Sequence, residues 1–190
     1  MRVSRQKAEE NRARVVRLAA RRFRERGFQG VSVADVMREA GLTHGGFYKQ
    51  FASKDALIAQ ACALGLGENL AAYQELTASR GRRAVRSIAE GMLSADHRDV
   101  PAEGCVMAAL GPDVSRADPP TRREVTEGIK RILAALIEAV PGRSRKKRRE
   151  QALAAYAMIV GAILLARAVD EKKLSQEILA AAQGSIVAGK

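Results

Sequence analysis

The sequence predicts an all-α fold, and three observations support that prediction. Alanine and leucine recur throughout the 190 residues, whereas the chain has four phenylalanines, three tyrosines and no tryptophan, a composition that favours helix over strand. Apolar residues recur at the spacing of a helix face, and no segment alternates as a half-buried strand would. Short connectors marked by glycine or proline separate these patterns. Because 47% of the residues are apolar, we expect a folded core rather than bulk disorder.

Three helical patterns occupy the first quarter of the chain. The first runs from about residue 4 to 26 and ends at a glycine, which is a common stop signal. Ser32 begins a second helix through a run similar to a capping box, and Gly41 follows it as a tight corner. Thr43 is expected to cap a short third helix that ends near Lys49. Two short helices around a glycine corner predict a helix-turn-helix.

Six longer helical patterns follow this unit. Ser53 is expected to cap a helix that runs toward residue 78. The remaining helices are predicted near residues 82–95, 104–115, 119–140, 146–168 and 173–188.

The formal net charge is +12, and it is unevenly distributed. Residues 1–55 hold 13 Lys and Arg against 6 Asp and Glu, so less than a third of the chain carries more than half of the excess. A small module with one sign of charge is expected to bind phosphates. An ordinary basic surface that keeps the protein soluble is the alternative. The run 143–149, with six basic residues in seven, is interpreted as a solvated connector and helix start.

Helix chemistry departs from its usual rules between residues 43 and 54. Gly45 and Gly46 lie inside the predicted third helix, where each costs about 1 kcal/mol relative to alanine. A missing side chain lets a backbone approach another surface closely. Lys54 lies in the first turn of the next helix, where the macrodipole disfavours a cation. A phosphate held at that helix start would account for it, and such departures tend to mark function.

The residues expected to contact DNA lie in this segment and beside it. His44 could donate to a base edge or a phosphate, and the Tyr48 hydroxyl could donate to a phosphate. Ser32 would both cap its helix and reach the DNA backbone. Phe47 is also expected to help close the small core. The full set predicted for DNA binding is Ser32, Thr43, His44, Gly45, Phe47, Tyr48, Lys49 and Lys54.

Residues 10–60 resemble the DNA-binding domain of the TetR family of bacterial transcriptional regulators. The resemblance implies that the third helix enters the major groove and that Tyr48 and Lys54 contact phosphates. Gly46 departs from the family pattern, because many relatives carry Ser or Thr there. The matching positions are Gly27-Phe28, Ser32-Val33, Val36-Met37, Ala40-Gly41-Leu42, Thr43, Gly45, Phe47-Tyr48, Phe51, Ser53-Lys54 and Leu57.

The same resemblance implies a homodimer that binds a palindromic DNA operator, and the sequence offers a separate reason. The helices near 146–168 and 173–188 are apolar around much of their circumference, which is more than one small core can bury. Two such helices from each subunit could form a four-helix interface. The alternative is that both helices pack only within the core of the monomer. The predicted interface residues are Ala157, Gly161, Leu164, Leu174, Ile178, Ala182 and Ile186.

These observations predict two domains. Residues 1–52 would form a three-helix helix-turn-helix DNA-binding domain, and residues 53–190 a helical domain for effector binding and dimerisation. Helical bundles often hold a cavity, and plain core packing is the alternative for each candidate lining residue. The predicted function is sequence-specific repression, relieved by an unidentified small-molecule effector. The candidates for the effector pocket are Met92, Cys105, Met107 and Tyr156.

Other classes of protein fit less well. Cys105, downstream of His97, leaves open a regulator that senses redox state, and the charge leaves open a non-specific DNA-binding protein. The chain has no phosphate loop, dinucleotide fingerprint or metal-ligand spacing, so we expect neither an enzyme nor a cofactor. The uncharged run 152–166 is shorter than the ~20 residues that span a membrane. Two cysteines and a polar N-terminal segment fit a cytoplasmic protein.

Overall fold

The computed structural model describes residues 5–188, and within that range it is all-helical, as predicted. It contains nine α-helices, three short 3₁₀ turns and no strand among the described residues. The 3₁₀ turns are His44–Gly46, Gly81–Arg83 and Pro101–Glu103. The helices are α1 (Arg5–Arg26), α2 (Val33–Glu39), α3 (Lys54–Arg80), α4 (Ala84–Met92), α5 (Ala95–Asp99), α6 (Val106–Ser115), α7 (Pro119–Ala139), α8 (Arg145–Ala168) and α9 (Lys172–Ala188).

Local signals in the sequence placed several helix ends correctly. The Ser32 and Ser53 hydroxyls each accept a hydrogen bond from a backbone N–H three residues on, at 3.1 Å, and so cap α2 and α3. Gly41 has a φ of +67°, a conformation in which a side chain would be strained. It therefore forms the predicted corner after α2.

The predicted third helix is wrong as an α-helix. Only His44–Gly46 is helical, as a 3₁₀ turn, and turns continue to residue 50. Two backbone hydrogen bonds have the three-residue spacing of a 3₁₀ helix. Gly46 N–H donates to the Thr43 carbonyl and Phe47 N–H donates to the His44 carbonyl, both at 3.0 Å. Thr43 makes no side-chain capping bond. Two adjacent glycines and an uncapped start lower the helix propensity here.

The pattern expected as one helix near residues 82–95 is also interrupted. A 3₁₀ turn precedes α4, which ends at Met92, and the short α5 starts after Ser94. The Ser94 hydroxyl accepts the His97 backbone N–H at 3.1 Å. Because serine competes for backbone bonds, it favours a new start over a continuous helix.

Helix α3 is the centre of the packing, since it lies along α7 and its first half packs against α1. Helices α8 and α9 pack on each other, and α8 also contacts α7. One connected cluster of buried apolar residues runs from α1 to α9. At its N-terminal end, Val15 and Phe23 of α1 meet Met37 of α2 and the rings of Phe47 and Phe51.

Helix α8 is long and apolar enough to cross a membrane. It has 24 residues, and its most apolar window has a mean hydropathy of 1.6. However, Ala152, Ile159 and Ile163 on one side are fully buried within the protein core. This packing is that of a core helix in a bundle, and the opposite side leaves apolar residues exposed.

Candidate nucleic-acid interface

Residues 43–50, named here the recognition turn, join α2 to the start of α3. Tyr48 is 68% exposed, although aromatic rings of this size are usually largely buried. Its ring makes edge-to-face contacts with the buried Phe47 at 5.2 Å and with His44 at 6.1 Å between centroids. These contacts therefore fix the position of the exposed Tyr48 ring and its hydroxyl at the surface.

The glycines of the recognition turn leave its backbone uncovered. Apart from its chain neighbours, a Cβ built on Gly45 would have no atom of the described residues within 4 Å. At Gly46 the nearest atom, the Thr43 hydroxyl oxygen, would lie at an ordinary 3.5 Å. Neither glycine has a positive φ. The fold therefore does not demand glycine at these positions, which fits close approach of another molecule.

Two lysines flank the exposed tyrosine. Lys49 is exposed and Lys54, the first residue of α3, is half-buried. Neither forms an ion pair with another residue in the described part of the chain. Their charges are therefore available to an external anion, as are the first N–H groups of α3.

Ser32 and Thr43 differ in how their hydroxyls are used. The Ser32 hydroxyl donates to the Asp35 carboxylate at 2.6 Å and accepts the Asp35 backbone N–H. That hydrogen bond holds the pKa of Asp35 below its usual range. Thr43 is exposed and its hydroxyl makes no capping bond. Ser32 is therefore a cap first, and its contact with DNA stays a prediction.

The structure corrects the prediction that the Phe47 side chain contacts DNA. Its side chain is 1% exposed, and its ring stacks on Phe51 with centroids 5.2 Å apart. A side chain this deeply buried cannot touch DNA. Only its expected role in closing the small core agrees with the structure.

Sequence reasoning missed Arg12, which fastens α1 to the far end of the recognition turn. Its guanidinium donates to the Gln50 carbonyl and, at 2.9 Å, to Oε1 of Gln60. It also lies over the Phe51 ring, 4.5 Å from the centroid, a favourable cation–π geometry. These partners are 38 to 48 residues away, so spacing along the chain carried no signal of them.

The predicted effector-pocket residues lie mainly in the core. Met92, Cys105 and Tyr156 are buried, and Met107 is partly buried. Tyr73, which was not among the predicted pocket residues, joins Cys105 and Tyr156 there, and burial raises the pKa of both the Tyr73 and the Tyr156 phenol. The hydroxyls of both tyrosines are buried without a hydrogen-bond partner among the described residues. Such orphaned groups are uncommon in proteins.

Cys105 does not have the surroundings of a reactive thiol. It is 1% exposed, and burial raises its pKa, whereas redox cysteines have a lowered pKa. Its backbone N–H donates to Nε2 of His97 at 3.0 Å. Nδ1 of His97 lies 2.7 Å from the Met92 carbonyl and so donates to it. His97 therefore organises the backbone at this corner rather than acting as a base for the thiol.

The predicted dimer residues are divided between surface and interior. Ala157 is exposed, and Gly161, Leu164, Ile178 and Ile186 are partly exposed. Ala182 is 9% exposed and packs within the monomer, so its contact with a partner subunit stays a prediction. The largest exposed apolar side chains of α8 and α9 are Leu153, Met158, Leu165, Leu174 and Val187, and only Leu174 was in the predicted set.

Comparisons with known proteins agree with this geometry. Residues 15–61 match the family model described as bacterial regulatory proteins, tetR family. Two Bacillus subtilis (strain 168) proteins, both described as uncharacterized HTH-type transcriptional regulators, align with parts of the chain. YerO is 23% identical over 90 residues and YdgC is 39% identical over 54 residues. The alignments cover 47% and 28% of this chain, and they span only 31% and 28% of those relatives.

Solved structures match over nearly the whole chain. The reduced form of E. coli NemR has a TM-score of 0.78 at 21% identity and covers 93% of this chain and 95% of its own. A TetR-family transcriptional regulator from Cytophaga hutchinsonii has a TM-score of 0.78 at 19% identity, covering 99% and 98%. At these identities the structures establish the shared fold. Residues 15–61 include α2 and the recognition turn, so this part of the chain is similar to the helix-turn-helix DNA-binding domain of tetR-family bacterial regulatory proteins.

Proposed function

We propose that the protein is a homodimeric repressor that binds a palindromic operator and is released from it by a small molecule. One observation carries the DNA-binding part of this proposal. The recognition turn presents the exposed Tyr48 ring beside an uncovered backbone at Gly45, and it is flanked by two lysines that form no ion pair with any residue in the described range 5–188.

In this proposal the recognition turn enters the major groove of the operator. The Tyr48 hydroxyl and the Lys54 ammonium bind phosphates on either side and fix the register. Thr43, His44 and Lys49 are the exposed polar side chains of the turn, and they read base edges. Lys54 also brings the start of α3 to a phosphate, where the free N–H groups add to the attraction.

The exposed apolar faces of α8 and α9 are proposed as the dimer interface. Leu165 is 53% exposed and Leu153 is 43% exposed, on helices whose other faces are buried in the core. Gly161 has open space where a side chain would stand, so a partner helix could approach closely. A twofold axis there would place two recognition turns about one DNA turn apart, ~34–36 Å.

The effector part of the proposal assigns residues 1–52 to DNA binding and 53–190 to effector binding and dimerisation. Met92, Cys105, Met107 and Tyr156 are kept as the proposed effector contacts. The unpartnered Tyr156 hydroxyl supports this, because a polar ligand group could satisfy it. In one state of the dimer, the spacing of the two recognition turns would not match the spacing of the operator half-sites. An effector that prefers this state would release the DNA, and the coupling free energy between effector and DNA binding is typically ~1–3 kcal/mol.

We further propose that the protein acts in the cytoplasm, where a regulator meets DNA, and that it catalyses no reaction. In the described residues, no group of three or more His, Cys, Asp or Glu side chains could hold a metal ion. The raised pKa of Cys105 also gives little support to a nucleophilic or redox role.

Selection from a random DNA library tests the proposal. We expect the wild-type protein to enrich one palindrome at physiological salt, and the double variant Tyr48→Ala, Lys54→Ala to lose that enrichment. A matched double variant on the exposed side of α7, Arg122→Ala with Arg123→Ala, should keep it. If the wild-type protein enriches no sequence, non-specific binding through the basic surface becomes the better account.

A further inference from the structure

A cavity of about 280 Å³ lies at the end of the bundle where α4, α7, α8 and α9 meet. It is separate from the Tyr73, Cys105 and Tyr156 cluster, with which it shares no lining residue. Its walls are mainly apolar and include Val85 and Ile186. The volume is just below the ~300–1,000 Å³ of common ligand pockets, so only a small ligand would fit.

Four polar side chains line this cavity, and two of them are unpaired; among the paired ones, the Ser185 hydroxyl donates to the Ala181 carbonyl at 3.0 Å. Arg83 forms no ion pair or side-chain hydrogen bond with another described residue. Oε1 of Gln151 is buried without a hydrogen-bond partner in the described structure. The other paired group, Arg86, is bound to Glu90 at 2.8 Å. The unpaired Arg83 guanidinium suits an anionic acceptor, and the side-chain N–H groups of Gln151, in the same lining, could donate to that acceptor.

The electrostatic surroundings of the cavity are positive. Val140 and Pro141 also line an adjacent groove, whose walls include Arg143 and Arg148. These two arginines belong to the run 143–149, with six basic residues in seven. Only Arg148 of that run has an acidic partner in the described structure, a carboxylate oxygen of Glu138 at 3.7 Å. Such a field raises the local concentration of anions.

We propose that this cavity binds a small apolar carboxylate. Its carboxylate would accept hydrogen bonds from the Arg83 guanidinium and from Nε2 of Gln151, and its hydrocarbon would pack on Val85 and Ile186. A charge-assisted hydrogen bond from arginine to a carboxylate is stronger than one between neutral groups. A chain of about eight carbons matches a pocket at the small end of the usual range.

The position of the cavity connects the ligand to regulation. Met158 and Val187 line it and also belong to the exposed apolar surface proposed above for dimerisation. The recognition turn lies at the opposite end of α3, about 40 Å away for 27 residues at ~1.5 Å each. A bound carboxylate would therefore act by shifting α4 against α8 and α9, and not by touching DNA. This effect on DNA rests on the proposed function, whereas binding itself does not.

Isothermal titration calorimetry with the full chain tests binding directly. The probes are octanoate, octan-1-ol and octylamine, which share an apolar chain and differ in charge. We expect octanoate to bind at least tenfold more tightly than octan-1-ol, and octylamine not to bind. Equal binding of all three, or no binding of octanoate, would overturn the proposal.

Two variants separate a ligand-binding role from a structural one. Arg83→Gln removes the unpaired cation, and Gln151→Leu removes the Nε2 donor at similar volume. Each should weaken octanoate binding about tenfold or more, whereas Arg122→Gln on the exposed side of α7 should not change it. Because Oε1 of Gln151 has no partner to lose, Gln151→Leu should unfold at an equal or higher temperature than wild type. Unchanged octanoate affinity in both variants would overturn the assignment of the carboxylate site.

Operator binding provides the second measurement. With the selected palindrome, saturating octanoate should change the Kd for DNA by about 5- to 150-fold, the usual range of such coupling. If octanoate binds and the Kd does not change, the regulatory part of the inference is wrong and the site remains. If no operator is selected at all, the proposed function fails, while the calorimetric result stands on its own.

Discussion

Nε of Arg24 donates a hydrogen bond to the backbone carbonyl of Ala102 at 2.6 Å, joining α1 to the 3₁₀ turn at residues 101–103. The Arg24 side chain is only 5% exposed, and a half-exposed carboxylate, Glu68, lies 3.7 Å from its Nη1. Burial lowers the pKa of Arg24 from its ordinary value. A buried cation thus links the helix that supports the recognition turn to a connector of the larger helical bundle.

Replacing Arg24 by methionine should destabilise the fold. The variant loses a charge-assisted hydrogen bond and leaves the Ala102 carbonyl buried without its partner. The expected loss in the free energy of unfolding is about 1–3 kcal/mol, measured by urea denaturation. Arg17→Met, at an exposed position of the same helix, should change stability by less than about 0.5 kcal/mol. Equal effects of the two substitutions would contradict a linking role for Arg24.

Gly65 and Gly67 offer a matched test of packing around the same arginine. A Cβ on Gly65 would lie 2.5 Å from Nη1 of Arg24 and 2.6 Å from Cγ2 of Val106, whereas one on Gly67 would meet open space. Gly65→Ala should therefore cost about 1–3 kcal/mol through overpacking. Gly67→Ala should gain up to about 1 kcal/mol from helix propensity. Thermal unfolding of both variants checks the sign, and stabilisation by Gly65→Ala would show that the contact relaxes freely.

The local parts of the fold were predictable from the sequence because their causes are local. Ser32 and Ser53 cap helices, and Gly41 turns the corner, through bonds within a few residues. The short third helix forms only as a 3₁₀ turn at His44–Gly46, because two glycines lower its helix propensity. Phe47 was predicted both to contact DNA and to pack in the core. In a segment of only one helical turn, residue spacing does not show which side chains face the core and which face outward.

Contacts between distant segments were not predictable from one sequence. Arg12, Arg24 and Tyr73 meet partners that the chain brings together only on folding. A lone arginine in a strongly basic helix carries no sign that it will be buried. Likewise, apolar residues on α8 and α9 indicated an interface, but not that Ala182 would face inward while Leu165 faced out.

His97 should make stability depend on pH. Burial, the main cause, and the positive charge of Arg167 lower the pKa of His97 below its ordinary 6.5, and the Met92 carbonyl opposes this. The folded protein then binds the proton less readily than the unfolded chain. The contribution of neutral His97 to the free energy of unfolding is therefore fully present above about pH 6.5 and is lost as the pH falls toward the folded-state pKa. Protonated Nε2 could no longer accept the Cys105 N–H.

The measurement is the free energy of unfolding between pH 7.5 and 5. His97→Gln keeps a possible acceptor without titrating, so the wild type should lose more stability than this variant over that range. Carboxylates with lowered pKa values, such as Asp99 and Glu39, are common to both proteins and cancel in the difference. Parallel curves would show that His97 does not titrate differently on folding.

The exposed face of α8 should control oligomeric state. Leu165→Glu places a charge on a side chain that is 53% exposed in the monomer, so the monomer should fold normally. A charge buried without a partner in an interface is costly, and the variant should run as a monomer in analytical ultracentrifugation. Thr126→Glu, exposed on α7, should leave the wild-type assembly intact. A dimeric Leu165→Glu protein would place the interface elsewhere.

Gly45→Ala gives the sharpest test of the recognition turn, because it separates folding from binding. The added methyl group would meet no atom of the described residues within 4 Å, apart from its chain neighbours, and the backbone there has no positive φ. Unfolding should therefore be unchanged or slightly more favourable to the folded state. If the uncovered backbone lies against DNA, the methyl group should clash with it and raise the Kd for the operator at least tenfold, about 1.4 kcal/mol. Gly91→Ala, at an equally open position in α4, should leave the Kd unchanged. A Gly45→Ala protein with wild-type affinity would mean that the backbone at residue 45 stays clear of the groove.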